Sequence, residues 1–302
     1  MRHFTHISAL STSDLSDILR RSRIQPVDLG RPADGEGVAL IFEKPSNRTR
    51  QSMEIAVVQL GGHPVYTRGE EVGFDVREPV EDIARILSGY HAVIAARVFS
   101  HDVIDRLVQS STVPILNMLS DRSHPLQAIA DVLTMVDEFG SIEGRTVAYV
   151  GDFNNVARSL VEACVMLGSH CRIGCPEGYS VGSDELARLR ELGTGTVEVF
   201  LDPVDAVEGA HAVHTDTWVS MGQEAEKEPR RRIFSRYRVD EALMSRAASD
   251  GIFMHCLPAY RGFEVTAGVI DGPRSRVVPQ GHNRLDSARG VLSFLLDGRL
   301  ER

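Results

Sequence analysis

Gly37-Val38-Ala39-Leu40-Ile41-Phe42 leads directly into Glu43-Lys44-Pro45-Ser46-Asn47-Arg48-Thr49-Arg50, and the reading of this stretch decides the fold. The apolar run reads as a buried strand. Beyond it, Met53, Ala56, Val57 and Leu60 recur with helical spacing on one face. Two hydroxyls, an amide and two guanidinium groups therefore stand where a strand hands over to a helix. Unpaired backbone N–H groups and the positive end of the helix dipole favour an anion there. Arg48 and Arg50 add planar forks suited to phosphate. No Gly-x-x-x-x-Gly-Lys precedes the helix, so this is not a nucleotide P-loop. A Ser-x-x-Thr cap followed by solvated arginines accounts for the same residues. The rest of the chain must decide between the two.

A length of 302 residues suggests two domains, each with its own core. The net charge of −9 argues against nonspecific nucleic-acid binding, which needs a basic face, but leaves room for a local basic pocket. No apolar stretch is long enough to span a membrane, and Met1-Arg2-His3-Phe4-Thr5-His6 lacks the apolar core of a signal peptide. Four cysteines are too few for a disulfide framework, so the expected location is a reducing cytoplasm. Cys171 and Cys175 lie beside His170, but no second ligand pair has zinc spacing and the segment reads as a short buried strand. No metal is expected.

Strand and helix patterns alternate along the chain, which implies parallel sheets covered by helices. In the first half the strands are expected at Val38–Phe42, Pro64–Thr67, Ala92–Val98 and Val113–Met118. Helices are expected at Ser13–Arg21, Arg48–Leu60, Pro79–Ser88, Asp102–Gln109 and Pro125–Phe139. The alternation restarts at Arg145–Asp152 and continues through strands at Cys171–Cys175, Val197–Leu201, Ala212–His214, Gly251–His255 and Val277–Val278. A final helix is expected over Ala288–Leu296. The expected fold is α/β: two doubly wound parallel-sheet domains with a shared cleft at the carboxyl ends of their strands. The division is expected after residue 139, with 140–285 as the second domain and 286–302 joining the first.

Several polar clusters fall at strand exits. Arg97 ends an apolar strand, as an anion partner or as a plain surface cation. His124-Pro125-Leu126-Gln127 opens a helix, with Pro125 suited to its first position and His124 and Gln127 spaced to share a ligand. Gly151-Asp152-Phe153-Asn154-Asn155 lacks the glycine fingerprint of dinucleotide binding, and its asparagines suit polar groups of a small substrate. Asp216 opens the loop to Gly222 and is able to pair with an amino group. Arg230-Arg231-Arg232 reads as a solvated loop face. In His255-Cys256-Leu257-Pro258 the neighbouring side chains of a strand point to opposite faces, which disfavours a Cys–His nucleophile pair. Asn283-Arg284-Leu285 is expected just before the last helix.

In this order the pieces resemble the ornithine carbamoyltransferase family over essentially the whole chain. The Ser-x-Arg-Thr-Arg and His-Pro-x-Gln segments are similar to carbamoyltransferases in general. Asp216…Ser220-Met221-Gly222 and His255-Cys256-Leu257-Pro258 resemble the ornithine branch; aspartate carbamoyltransferases show His-Pro-Leu-Pro instead. The resemblance implies transfer of a carbamoyl group from carbamoyl phosphate to L-ornithine, with no metal or organic cofactor. Ser46, Asn47, Arg48, Thr49 and Arg97 would bind the phosphate. Arg97, His124 and Thr49 would polarise the carbonyl oxygen. Gln127, Arg284 and backbone carbonyls near Cys256 and Leu257 would hold the rest of the carbamoyl group. Asn155, Asp216, Ser220 and Met221 would hold the ornithine head group, and Cys256 with Asp216 would align its side-chain amine. The family assembles as trimers or as larger assemblies of trimers, with the last helix returning to the first domain.

The chain departs from the family at Asn47 (often Thr), Leu126 (often Cys), Gly281-His282 and Asp286, and at Gly73. Many members carry a Gln near position 73 that reaches a neighbouring subunit's phosphate. A carbamoyltransferase for putrescine or an acylated ornithine is an alternative. So is a catalytically silent paralogue acting as a binding subunit.

Overall fold

The computed structural model describes residues 1–219 and 224–297. The chain divides into two compact units. Unit 1 comprises Met1–Ala130 with His282–Arg302, and unit 2 comprises Asp131–Gly281.

Through unit 1 the elements run α1 (Thr12–Arg23), β1 (Gly37–Phe42), α2 (Asn47–Gln59), β2 (His63–Arg68), α3 (Gly69–Val72) and α4 (Val80–Ser88). They continue with β3 (Val93–Arg97), α5 (His101–Ser110), β4 (Ile115–Leu119) and α6 (Pro125–Phe139), which belongs to unit 2 from Asp131 onward. The four strands form one sheet in the order β2-β1-β3-β4, and every pairing is parallel. The strand order reverses direction between β1 and β3. β1 leaves the sheet at the Ser46 turn, and β3 leaves it at Arg97. The two most suggestive polar segments of this half thus flank the switch point, where open α/β sheets place their ligands.

Unit 2 repeats the plan. β5 (Thr146–Val150), α7 (Asn155–Met166), β6 (His170–Gly174), α8 (Ser183–Arg190), β7 (Thr196–Phe200), α9 (Pro203–Val207) and β8 (Ala212–Thr215) are followed by α10 (Lys227–Phe234) and α11 (Glu241–Met244). β9 (Ile252–His255) and α12 (Ala267–Ile270) complete the series, and α13 (Val277–Leu296) starts in unit 2 and belongs to unit 1 from His282 onward. The sheet order is β7-β6-β5-β8-β9, again all parallel. Its switch point lies between β5 and β8. The Asp152–Asn155 turn and Asp216 flank it.

Strand and long-helix positions agree with the sequence reading to within one or two residues, except at the C-terminal end. Val277–Val278 is not a strand: it forms the first turn of α13, which begins there rather than at Ala288. Pro279 fits that first turn because its missing N–H would have no helical acceptor. The apolar period fails over the next two turns because Asn283, Arg284 and Ser287 are buried polar residues. The helix packs there without an apolar stripe, so Asn283-Arg284-Leu285 lies inside it and not before it. Gly290 lets this helix approach α1 closely: any Cβ there would collide with Ser22 and the Ile18 carbonyl. Among the described residues, no helix is long and apolar enough to cross a membrane.

Candidate active site

In unit 1 the cap reading and the anion reading of the opening stretch are compatible. Ser46 is the N-cap of α2, its hydroxyl accepting from the Thr49 amide. The same hydroxyl donates to Thr49 Oγ1 at 3.0 Å. Thr49 is buried and its Oγ1 also accepts from Arg284 Nη2 at 2.9 Å. The other arm of the Arg284 fork donates to Gln127 Oε1 at 2.5 Å. One guanidinium from α13 therefore ties the start of α2 to the start of α6, over sequence separations of 235 and 157 residues.

His124 caps α6 through its carbonyl, which accepts from the Gln127 amide. Its ring is buried, and that burial, with Arg284 and then Arg97 close by, drives its pKa well below the ordinary value. It is a neutral imidazole, able to donate one hydrogen bond to a developing oxyanion without titrating near pH 7. Leu126, between His124 and Gln127, is buried.

Arg97 is buried at the end of β3, where the register with β4 shifts between Ala96 and Arg97. Glu43 braces this exit from both sides. Its amide donates to the Arg97 carbonyl at 2.9 Å, and its carboxylate accepts from the Phe99 amide at 2.9 Å. Arg48 is half-buried and has no ion-pair partner among the described residues. Arg50, which the opening stretch offered as a second fork, is directed elsewhere. It pairs with Glu54 and lies over the Tyr66 ring, 3.8 Å from its centroid. Asp286, unusual for the resemblance, accepts from Arg23 and Arg289. Gly73 ends α3 with φ +62°, and a Cβ there would fall 2.7 Å from Arg77 Cγ. A glutamine at position 73 would be strained on two counts, by the left-handed backbone and by the Arg77 side chain.

In unit 2 the centre is Asp216, just past β8. Its carboxylate accepts from Asn154 Nδ2 at 2.9 Å, from its neighbour's amide at Thr217 and from the Cys256 thiol at 3.1 Å. Asn154 is the N-cap of α7 through its side-chain oxygen. Its two amide atoms thus do separate work, and the sequence reading had placed the emphasis on Asn155 instead. Asn155 is the first residue of α7 and is half-buried. Ser220 and Met221 lie outside the described residues. Leu257 has φ +56° and a cis bond to Pro258.

Cys256 and His255 do point to opposite sides. The thiol meets Asp216, whereas the ring of His255 accepts from the Leu257 amide at 2.9 Å and faces Glu264 at 3.3 Å. Asp216, His255 and Cys256 bring potential ligand atoms within 4.8 Å of one another. Both nitrogens of His255 are already engaged, so a cation there would have to break one of those bonds.

Arg230 overturns the reading of Arg230-Arg231-Arg232 as a solvated face. It is 4% exposed, pairs with Asp152, donates to the Trp218 carbonyl at 2.6 Å and lies 4.9 Å from the Tyr179 ring centroid. The aromatic shell of Tyr179, Trp218 and Phe234 is what buries it. In the sequence only the tryptophan and phenylalanine that bracket the basic run hinted at this.

Two parallel-sheet units, each with a polar cluster at its switch point, make the class of protein recognisable, and the comparisons agree. The carbamoyl-P binding domain of the aspartate/ornithine carbamoyltransferases matches residues 2–137, and their Asp/Orn binding domain matches residues 143–295. An ornithine carbamoyltransferase of Acidothermus cellulolyticus is 45% identical over 303 residues, 98% of this chain and 97% of its own. The solved ornithine carbamoyltransferase of Pyrococcus furiosus superposes with a TM-score of 0.94 at 40% identity, covering 98% of this chain and 97% of its own. An acetylornithine transcarbamylase complexed with acetylcitrulline is more distant in sequence, at 26% identity and a TM-score of 0.88, covering 98% of this chain and 99% of its own. The chain belongs to the aspartate/ornithine carbamoyltransferase family.

Proposed function

We propose that unit 1 binds carbamoyl phosphate and unit 2 binds L-ornithine. The reaction is transfer of the carbamoyl group from carbamoyl phosphate to the side-chain amine of L-ornithine, giving L-citrulline and phosphate. The observation that carries the division is the Arg284 fork, which joins Thr49 and Gln127 beside the neutral His124.

Ser46, Asn47, Arg48 and Thr49, with Arg97, hold the phosphate at the helix N-terminus. Arg97, His124 and Thr49 direct hydrogen bonds at the carbonyl oxygen, where negative charge grows as the amine nitrogen adds to the carbon. Gln127 and Arg284, with the Cys256 and Leu257 carbonyls, fix the carbamoyl group. Collapse breaks the carbon–oxygen bond to phosphate, which takes up the remaining extra proton of the attacking nitrogen and leaves as an anion into the arginines. Asn155, Asp216, Ser220 and Met221 hold the amino-acid head group, and Cys256 with Asp216 aligns the attacking amine.

An alkyl amine with a pKa of about 10.4 must lose a proton first, which costs roughly 3 kcal/mol near pH 8. Arginine charge that stabilises the carbonyl oxygen also disfavours the protonated amine, and so lowers that cost. No step in this scheme calls for a metal or an organic cofactor. The enzyme works in the cytoplasm as a homotrimer or an assembly of trimers. Light scattering on the purified protein checks the assembly.

The test is ureido-product formation with carbamoyl phosphate and, in parallel, L-ornithine, putrescine, N-acetyl-L-ornithine and L-aspartate. Turnover with ornithine alone is expected. Turnover with another amine would overturn the head-group assignment and keep the phosphate site.

A further inference from the structure

We propose that His255 is a positioning residue for carbamoyl transfer. As a neutral ring protonated at Nε2 and braced by Glu264, it holds Leu257 in a left-handed conformation. That conformation sets the direction of the Cys256 thiol and of the two carbonyls beside it. The inference rests on the assignment of Cys256 and Leu257 to the substrates.

The tautomer follows from the hydrogen bonds. His255 Nδ1 lies 2.9 Å from the Leu257 amide, which has only a proton to give, so Nδ1 is the acceptor. The ring proton is then on Nε2, which faces Glu264 Oε1 at 3.3 Å. The same carboxylate oxygen accepts from the Tyr260 amide at 2.5 Å. Glu264 therefore fastens both ends of the 257–260 turn, one directly and one through the imidazole. His255 and Glu264 are each only 1% exposed. Both are closed off from solvent.

The turn needs such a brace. Leu257 has φ +56°, a conformation that a residue with a branched side chain adopts only where its surroundings over-determine it. The strand end upstream is fixed as firmly. The His255 amide donates to Gln280 Oε1 at 2.9 Å, and Gln280 Nε2 donates to Asp131 Oδ1 at 2.6 Å. His255 thus binds the rigid frame through its backbone and the strained turn through its ring.

Two substitutions separate the two ring contacts. His255→Asn keeps an oxygen near the Nδ1 position for the Leu257 amide and gives up Glu264. His255→Gln reaches Glu264 and gives up Leu257. The expected kcat of His255→Asn is within about threefold of the parent. The expected kcat of His255→Gln is lower by on the order of 10- to 100-fold, with the KM for carbamoyl phosphate little changed. Iodoacetamide alkylation of Cys256, followed by peptide mapping, should change rate in the Gln variant and not in the Asn variant; Cys164, Cys171 and Cys175 are buried.

Equal kcat in the two variants would overturn the proposal. Altered alkylation with unchanged kcat would overturn it too, and would place the failure in the assignment of Cys256 and Leu257 to the substrates rather than in the brace. Should the Gln variant fail to fold, long-range nitrogen–proton NMR of the parent enzyme decides. An Nε2–H tautomer at His255 is expected, and an Nδ1–H tautomer contradicts the account.

Discussion

The polar clusters of the two units occupy equivalent places in their sheets and are built in opposite ways. Unit 1 gathers cations from distant parts of the chain, Arg97 from a strand end and Arg284 from the C-terminal helix, around a histidine kept neutral, with Arg48 at the start of α2. Unit 2 centres on one carboxylate, Asp216, with an asparagine from the neighbouring strand exit and a thiol from the next. The same topology thus carries a cluster of cations in one unit and a carboxylate-centred cluster in the other. The difference lies in which side chains the strand exits carry, since fold alone does not set function.

The comparison breaks first at Arg284. Arg284→Ala removes one guanidinium from both Thr49 and Gln127, and kcat/KM should fall on the order of 100- to 1000-fold. A loss below about tenfold in steady-state kinetics would show that the fork is structural.

Asp216→Asn should lower kcat/KM for ornithine by about 100-fold, the scale of a lost charge-assisted contact, while its thermal midpoint stays close to the parent's. Arg48→Ala should weaken carbamoyl phosphate about tenfold in saturation kinetics and leave the KM for ornithine in place. If instead ornithine saturation shifts, the division by charge is wrong.

Asn154→Ala sharpens the comparison, because this residue caps α7 and steadies Asp216. A stability loss of about 1 kcal/mol in urea unfolding is expected, with a raised KM for ornithine. A stability loss with an unchanged KM would reduce Asn154 to a cap.

The smallest effect is a pH slope. The folded pKa of His124 lies well below that of the unfolded chain, 6.5. Below pH 6.5 the unfolded state takes up a proton that the folded state refuses, so this contribution to stability is complete above pH 6.5 and is lost as the pH falls. Thermal melts of His124→Asn between pH 7 and 5 should fall less steeply than those of the parent. Parallel slopes would contradict a neutral, buried ring.

How much of this was legible beforehand depends on the kind of residue. Buried strands announce themselves as apolar runs, so the strands of both sheets were readable, and with them the places of Ser46, Arg97, His124 and Asp216 beyond strand ends; the strand order, which sets the switch points, was not. The start of α13 was hidden because its buried face is polar: Asn283, Arg284 and Ser287 interrupt the period that marks a helix. Arg230 was misread because three arginines in a row look solvated, and only the folded chain brings Tyr179, Trp218 and Asp152 around the first of them. Asn154 was passed over for Asn155 because its service to Asp216 spans 62 residues, a separation that no local pattern reports.

Calorimetric titration of Asp216→Asn with carbamoyl phosphate tests the central claim most directly. If the two clusters serve one substrate each, the variant binds carbamoyl phosphate within about twofold of the parent's affinity, a change of under 0.5 kcal/mol. Abolished binding would mean that Asp216 belongs to the carbamoyl phosphate site, and the division of the two units by charge would fall.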